Sequence, residues 1–100
     1  PASRFSLLPP ADHPFQGRGV LRWRSSVPSR DELILLDLRG RVIRRHAADA
    51  TADVERTFLW DGRDSAGRAC PSGAYVYRVI SRPLDGSAPR TRTGKITLAR

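Results

Sequence analysis

One hundred residues with 39% hydrophobic content and a mean hydropathy of -0.45 are enough for one buried core and too apolar for a disordered tail. No apolar run approaches the roughly 20 residues that span a bilayer, and the single cysteine, Cys70, excludes an internal disulfide. The net charge of +8 rests on 17 arginines and one lysine, Lys95.

Most of those arginines, from Arg22 to Arg92, are scattered over nearly every segment instead of forming one tract. Scatter of this kind marks arginine as the generic solvent-facing residue. A basic nucleic-acid-binding domain is therefore the lesser alternative, since charge excess alone supports only non-specific contact. Residues 1–10 lack the continuous apolar stretch of a signal peptide. The chain has no methionine and begins Pro-Ala, which fits a mature product, an excised domain or simple removal of an initiator methionine.

In chain order, residues 4–8 read as a short strand closed by Pro9-Pro10. An irregular segment follows to Gly19, with Phe15 its one apolar anchor. Val20-Leu21-Arg22-Trp23-Arg24 alternates strictly, which places Leu21 and Trp23 on one face and the arginines on the other. Pro28 breaks that strand. Residues 32–38 are the most apolar run and suit a central strand with both faces covered. Asp31-Glu32, at its start, read as solvated edge residues.

Gly40 then turns the chain, and Val42 begins a return strand that runs to His46. Residues 47–53 tolerate a helical turn but lack an apolar stripe, and read as a loop. Residues 54–60, 74–81 and 91–98 complete the strand list, with residues 83–89 a polar loop. Trp60 ends one apolar run, and Tyr75 and Tyr77 open the next at alternate positions. The Asp61-Gly62 and Asp64 to Gly67 signals between them predict a hairpin that pairs these two strands directly. About seven short strands with no amphipathic helix predict an immunoglobulin-like antiparallel β-sandwich. One domain over residues 1–100 is expected, with 1–19 an N-terminal strand and irregular segment and 20–100 the sandwich body.

Leu33 to Arg45, followed by Trp60-Asp61-Gly62-Arg63-Asp64 and Ser72-Gly73-Ala74-Tyr75-Val76-Tyr77-Arg78, resembles a known module. It is the immunoglobulin-like module first described in the flagellar hook-capping protein. That module is widespread at the C-termini of exported bacterial proteins, including the C-terminal sorting domains of the type IX secretion route. His13-Pro14-Phe15 stands where the family has Asn-Pro-Phe, Leu36 precedes Asp37 where it has Tyr, and Gly94-Lys95-Ile96-Thr97-Leu98 matches the closing strand. The resemblance implies an exported, extracellular or cell-surface module with no catalytic role. It would serve sorting, anchoring or assembly, with protein partners and no small-molecule substrate.

The candidate motif residues are Asp37, Gly40, Trp60, Asp61, Gly62, Asp64, Gly67, Gly73, Tyr75 and Tyr77. Asp61 and Asp64 lack the Asp-x-Asp-x-Asp-Gly spacing and distal Glu of a calcium loop. Loop N–H groups and Arg63 or Arg68 are the expected partners instead. No metal or cofactor is expected. His13 and His46 have no nucleophile in a recognisable setting, so no catalytic residue is assigned. Trp23, Trp60, Tyr75 and Tyr77 are expected in the core rather than on a stacking platform. Phe5, Leu7 and Leu8 form a candidate strand-exchange segment, because an open sheet edge accepts a neighbour's strand. A self-assembling filament subunit is accordingly the main alternative function.

Overall fold

The computed structural model describes residues 4–11 and 15–99; His13-Pro14 and the chain termini lie outside them. Eight strands follow one another: β1 (Phe5–Ala11), β2 (Phe15–Gln16), β3 (Gly19–Ser25), β4 (Ser29–Asp37), β5 (Val42–Ala50), β6 (Glu55–Trp60), β7 (Gly73–Pro83) and β8 (Arg90–Ala99). They form two sheets, ordered β1-β3-β6 and β2-β8-β7-β4-β5. Every pairing is antiparallel except that of β2, which runs parallel to β8. The chain thus enters through one sheet as β1 and crosses to the edge of the other as β2. The result is an immunoglobulin-like β-sandwich.

Alternation builds the core. Leu21 and Trp23 of β3, Phe58 and Trp60 of β6, Leu33 and Leu35 of β4, and Tyr75, Tyr77 and Val79 of β7 all point between the sheets and are buried. Phe15 is also fully buried, so the anchor expected in the early segment is a core residue. Tyr77 lies directly across from Gly94 of β8. A Cβ at Gly94 would come within 2.6 Å of that ring, so only glycine lets the phenol lie flat on the neighbouring strand. Burial also pushes the Tyr77 hydroxyl pKa upward.

Several expectations need correction. The strands ending at Trp60 and containing Tyr75 are not a hairpin: β6 pairs with β3 in one sheet, and β7 pairs with β4 and β8 in the other. Residues 61–72 use their Asp and Gly signals on a separate small turn, closed by the Arg63–Ala69 bridge. Trp60 and Tyr75 still meet, edge to face across the core, with ring centroids 5.1 Å apart. Residues 47–50 are strand, because β4 offers them a regular ladder from Ser29 to Glu32. Tertiary pairing here overrides the local alanine content.

β4 is central within its sheet, but only one of its faces is covered by the other layer. Ile34 and Leu36 alternate outward, and Leu36 stays half-exposed. Asp31 is not solvated: it is 1% exposed. The strand expected to close at Leu8 continues through Pro9-Pro10 to Ala11, with a register shift between Leu8 and Ala11. This β1 is seated on β3 of its own chain, with Phe5 in the core and Leu7 packed against it. Exchange of β1 would have to open that ladder.

At the start of β4 a polar clip crosses the interior. Asp31 Oδ1 accepts hydrogen bonds from Ser29 Oγ at 2.8 Å and Ser81 Oγ at 2.7 Å, and Oδ2 accepts one from Trp23 Nε1 at 2.8 Å. Arg56 Nε, from the opposite sheet, sits 3.1 Å from Oδ2 as an ion pair off hydrogen-bond alignment. The remaining Arg56 nitrogens donate to Ser29 Oγ and to the carbonyls of Ser25, Ala50 and Val54. Both charges are therefore compensated inside the sandwich.

Candidate functional site

At the other end of β4 the sequence uses one five-residue turn twice. Asp37-Leu38-Arg39-Gly40-Arg41 joins β4 to β5, and Asp64-Ser65-Ala66-Gly67-Arg68 caps the turn between Trp60 and Tyr75. In each, the Asp N–H donates to the carbonyl of the Arg four residues on, and the Gly N–H donates back to the Asp carbonyl. Each Asp Oδ1 accepts N–H bonds from the second and fourth following residues, at 2.9–3.0 Å. Gly40 and Gly67 adopt φ of 88° and 82°, a left-handed conformation that residues with a Cβ resist.

The two turns dock side by side. Ser65 N–H and Oγ–H both donate to the Ile43 carbonyl at 3.0 Å, which fixes the second turn on β5. Between them lies a cleft of about 250 Å³ lined by Asp37, Arg41, Asp64, Arg68, Cys70 and Tyr75, among others. Tyr75 braces its floor by donating its hydroxyl to the Pro71 carbonyl at 2.5 Å, the arrangement known in immunoglobulin folds as a tyrosine corner. Cys70 is buried at 4% exposure.

Of the motif residues read from sequence, Asp37, Asp64 and Tyr75 line this cleft, and Gly40 and Gly67 sit at its turn tips. Trp60 stands behind Tyr75 and donates its indole N–H to the Arg63 carbonyl at 3.0 Å. Asp61 Oδ1 accepts from the Arg63 N–H, and its ion pair is with Arg44 of β5 at 3.1 Å, not with Arg63. Gly62 is buried beneath the turn, Gly73 opens β7, and Tyr77 lies further along the same strand. Phe5, Leu7 and Leu8 do not line the cleft. Arg68, expected as a partner of the turn aspartates, does pair with Asp64. The repeat of the Asp-x-x-Gly-Arg spacing at Arg41 and Arg68 was there to read, but the sequence reading did not join it into one site.

The cleft presents fixed charges. The Arg41 N–H foremost, then that of Arg39 and the cationic side chains of both, hold the Asp37 carboxyl below its usual pKa against some desolvation. The Arg68 N–H does the same at Asp64, helped by the Ala66 N–H and the Arg68 guanidinium. Both carboxylates stay ionised at neutral pH, so neither serves as a proton donor there. Arg41 and Arg68 each lie close to their own aspartate, 3.4 and 3.2 Å away, yet their side chains are 77% and 79% exposed. Such guanidinium groups can offer forked donors to a carboxylate on a partner.

A pH dependence follows. A carboxyl whose folded pKa is depressed stabilises the fold above its unfolded value of about 4, and that contribution is lost as pH falls through the folded pKa. The doubly substituted Asp37→Asn/Asp64→Asn protein is expected to lose stability at neutral pH and to show a flatter acid limb below about pH 4. Urea midpoints at neutral pH and in that acid range measure this; parallel curves for the two proteins would contradict it.

No family model and no curated protein matches the sequence. Solved structures match the fold. Dimeric latent PorU from Porphyromonas gingivalis superposes on 99% of this chain with a TM-score of 0.78 and 12% identity. FlgD from Xanthomonas campestris, described for hook capping essential to flagellar assembly, gives 0.68 over 95% of this chain and 68% of its own length, at 17% identity. The chain has the fold of the hook-capping module. FlgD from P. aeruginosa gives 0.64 at 20% identity, over 95% of this chain and 74% of its own. At these identities the likeness is one of fold, and this chain corresponds to only 10% of PorU.

Proposed function

We propose that this chain is a non-catalytic module of an exported bacterial protein, acting in sorting, anchoring or assembly through protein–protein contacts. The observation that carries this reading is the hook-capping fold over 95% of the chain, found together with the ordered motifs of the same module in the sequence. The twin Asp-x-x-Gly-Arg turns supply a rigid, charged end of the sandwich, and rigid ends with exposed arginine suit a protein partner better than a small substrate. Extracellular or cell-surface placement, and a C-terminal position in the parent protein, follow from the same reading. No helix among the described residues is long and apolar enough to cross a membrane.

The test is a fusion. A reporter carrying a signal peptide is joined to the N-terminus of this chain and expressed in a bacterium with an intact type IX secretion route. The reporter is expected at the cell surface or in the medium, and in the periplasm when the route is disabled. Periplasmic retention in both strains would overturn the sorting reading.

A further inference from the structure

Among the described residues the sandwich leaves four strands at sheet edges, and they differ sharply in what they offer a partner. β1 is broken by a register shift and by two prolines that lack N–H donors. β2 has two residues, and β6 has six. β5 has nine residues with no proline, and its ladder to β4 is regular from Arg44 to Ala50. Among the described residues no strand pairs with its other side, and the bonds from Ser65 fall on Ile43, before the regular Arg44 to Ala50 ladder begins. A long, regular edge without proline is open to strand addition, and its charges then decide which strand it accepts.

The sequence of β5 is self-complementary about its midpoint. In Arg44-Arg45-His46-Ala47-Ala48-Asp49-Ala50, reflection through Ala47 matches Arg45 with Asp49, His46 with Ala48, and Arg44 with Ala50. Opposite charges meet, large side chains face small ones, and alanine meets alanine on the axis. Arg45, Ala47 and Asp49 share the outer face of the sheet by alternation. Arg45 there lies 3.5 Å from Glu32, and Asp49 lies 3.0 Å from Arg30. Across the axis the signs would alternate as Glu32, Arg45, Asp49 and Arg30, twice over, an exposed network rather than an isolated pair.

We propose that β5 is the contact strand of a two-fold dimer, in which a second copy of this chain adds its own β5 antiparallel, in register about Ala47. The two five-stranded sheets then run on as one across the axis, an isologous interface. This deepens the protein-contact reading of the previous subsection and names the partner as a second copy.

Sedimentation velocity over a concentration series up to about 1 mM is expected to show monomer passing to dimer. Arg45→Asp places like charges opposite each other and should weaken dimerisation about tenfold or more. The swapped pair Arg45→Asp/Asp49→Arg should restore it, which separates a lost interface from a damaged fold. Ala47→Cys adds a thiol on the axis, where opposed Cα atoms lie roughly 4.5–5.5 Å apart, within reach of a disulfide. Mild oxidation should link it into dimers, while Thr57→Cys on β6 should stay monomeric. A wild-type chain that stays monomeric throughout, dimerisation indifferent to Arg45→Asp, or cross-linking through residue 57 instead of 47 would overturn the proposal. Reporter export by a monomeric chain would remove the dimer and leave the sorting reading standing; a dimer without export would do the reverse.

Discussion

Asp31→Asn is expected to cost about 3–5 kcal/mol of unfolding free energy, the usual penalty for stranding a buried charge. Arg56 is the charge stranded. Its side chain is 2% exposed and its ion pair with Asp31 is the one compensating charge contact seen for it among the described residues. The carbonyls of Ser25, Ala50 and Val54 would still accept its N–H groups, yet they carry no formal charge. The same substitution puts an amide where Ser29, Ser81 and Trp23 now donate to a carboxylate, so one of those donors must also turn away.

Urea denaturation at neutral pH measures the loss, read from the midpoint at unchanged slope. Arg56→Met alone should be comparably harmful because it leaves the carboxylate buried. The double substitution should lose less than the sum of the two, with a coupling above about 1 kcal/mol. A change below that size for Asp31→Asn would mean that Arg56 reaches water and that the clip does not tie the sheets together.

This clip is also where the sequence was least legible. Asp31 and Glu32 are adjacent and chemically alike, but strand alternation sends Asp31 inward and Glu32 outward to Arg45. Nothing local to Asp31 announces that its partner lies on β6, in the other sheet. Likewise the Arg56 side chain is one arginine among 17 until pairing with β3 turns it toward the core. What could be read was whatever alternation or turn chemistry encodes locally: Leu21 and Trp23 on β3, Tyr75 and Tyr77 on β7, and the aspartates as turn acceptors.

Pairing order is a different matter. The Asp-Gly signals after Trp60 specify a turn correctly, but a turn does not say which strands flank it. Further along the chain, β7 has a better partner in β4, which pairs with it from Ser29 to Asp37. The candidate cleft was half legible for the same reason. Its aspartates and glycines follow from turn geometry, whereas the meeting of the two turns depends on Ser65 reaching the Ile43 carbonyl.

Trp60→Ala is the second large effect, expected at about 3–5 kcal/mol as for other buried aromatic truncations. Trp60 is fully buried at the end of β6 and packs edge to face on Tyr75 of the opposite sheet. It therefore holds together two strands that share no ladder. Its indole N–H also ties down the Arg63 carbonyl at the entry to the second Asp-x-x-Gly-Arg turn. The cavity should consequently loosen the cleft as well as the core. Trp60→Phe separates the two roles: it keeps most of the packing and removes the N–H, so it should cost less, about 1–3 kcal/mol for the carbonyl left without its donor. Calorimetric melting of the three proteins decides the matter. An unchanged melting temperature for Trp60→Ala would place the centre of the fold elsewhere, and equal losses for Phe and Ala would assign the effect to the hydrogen bond instead of the packing.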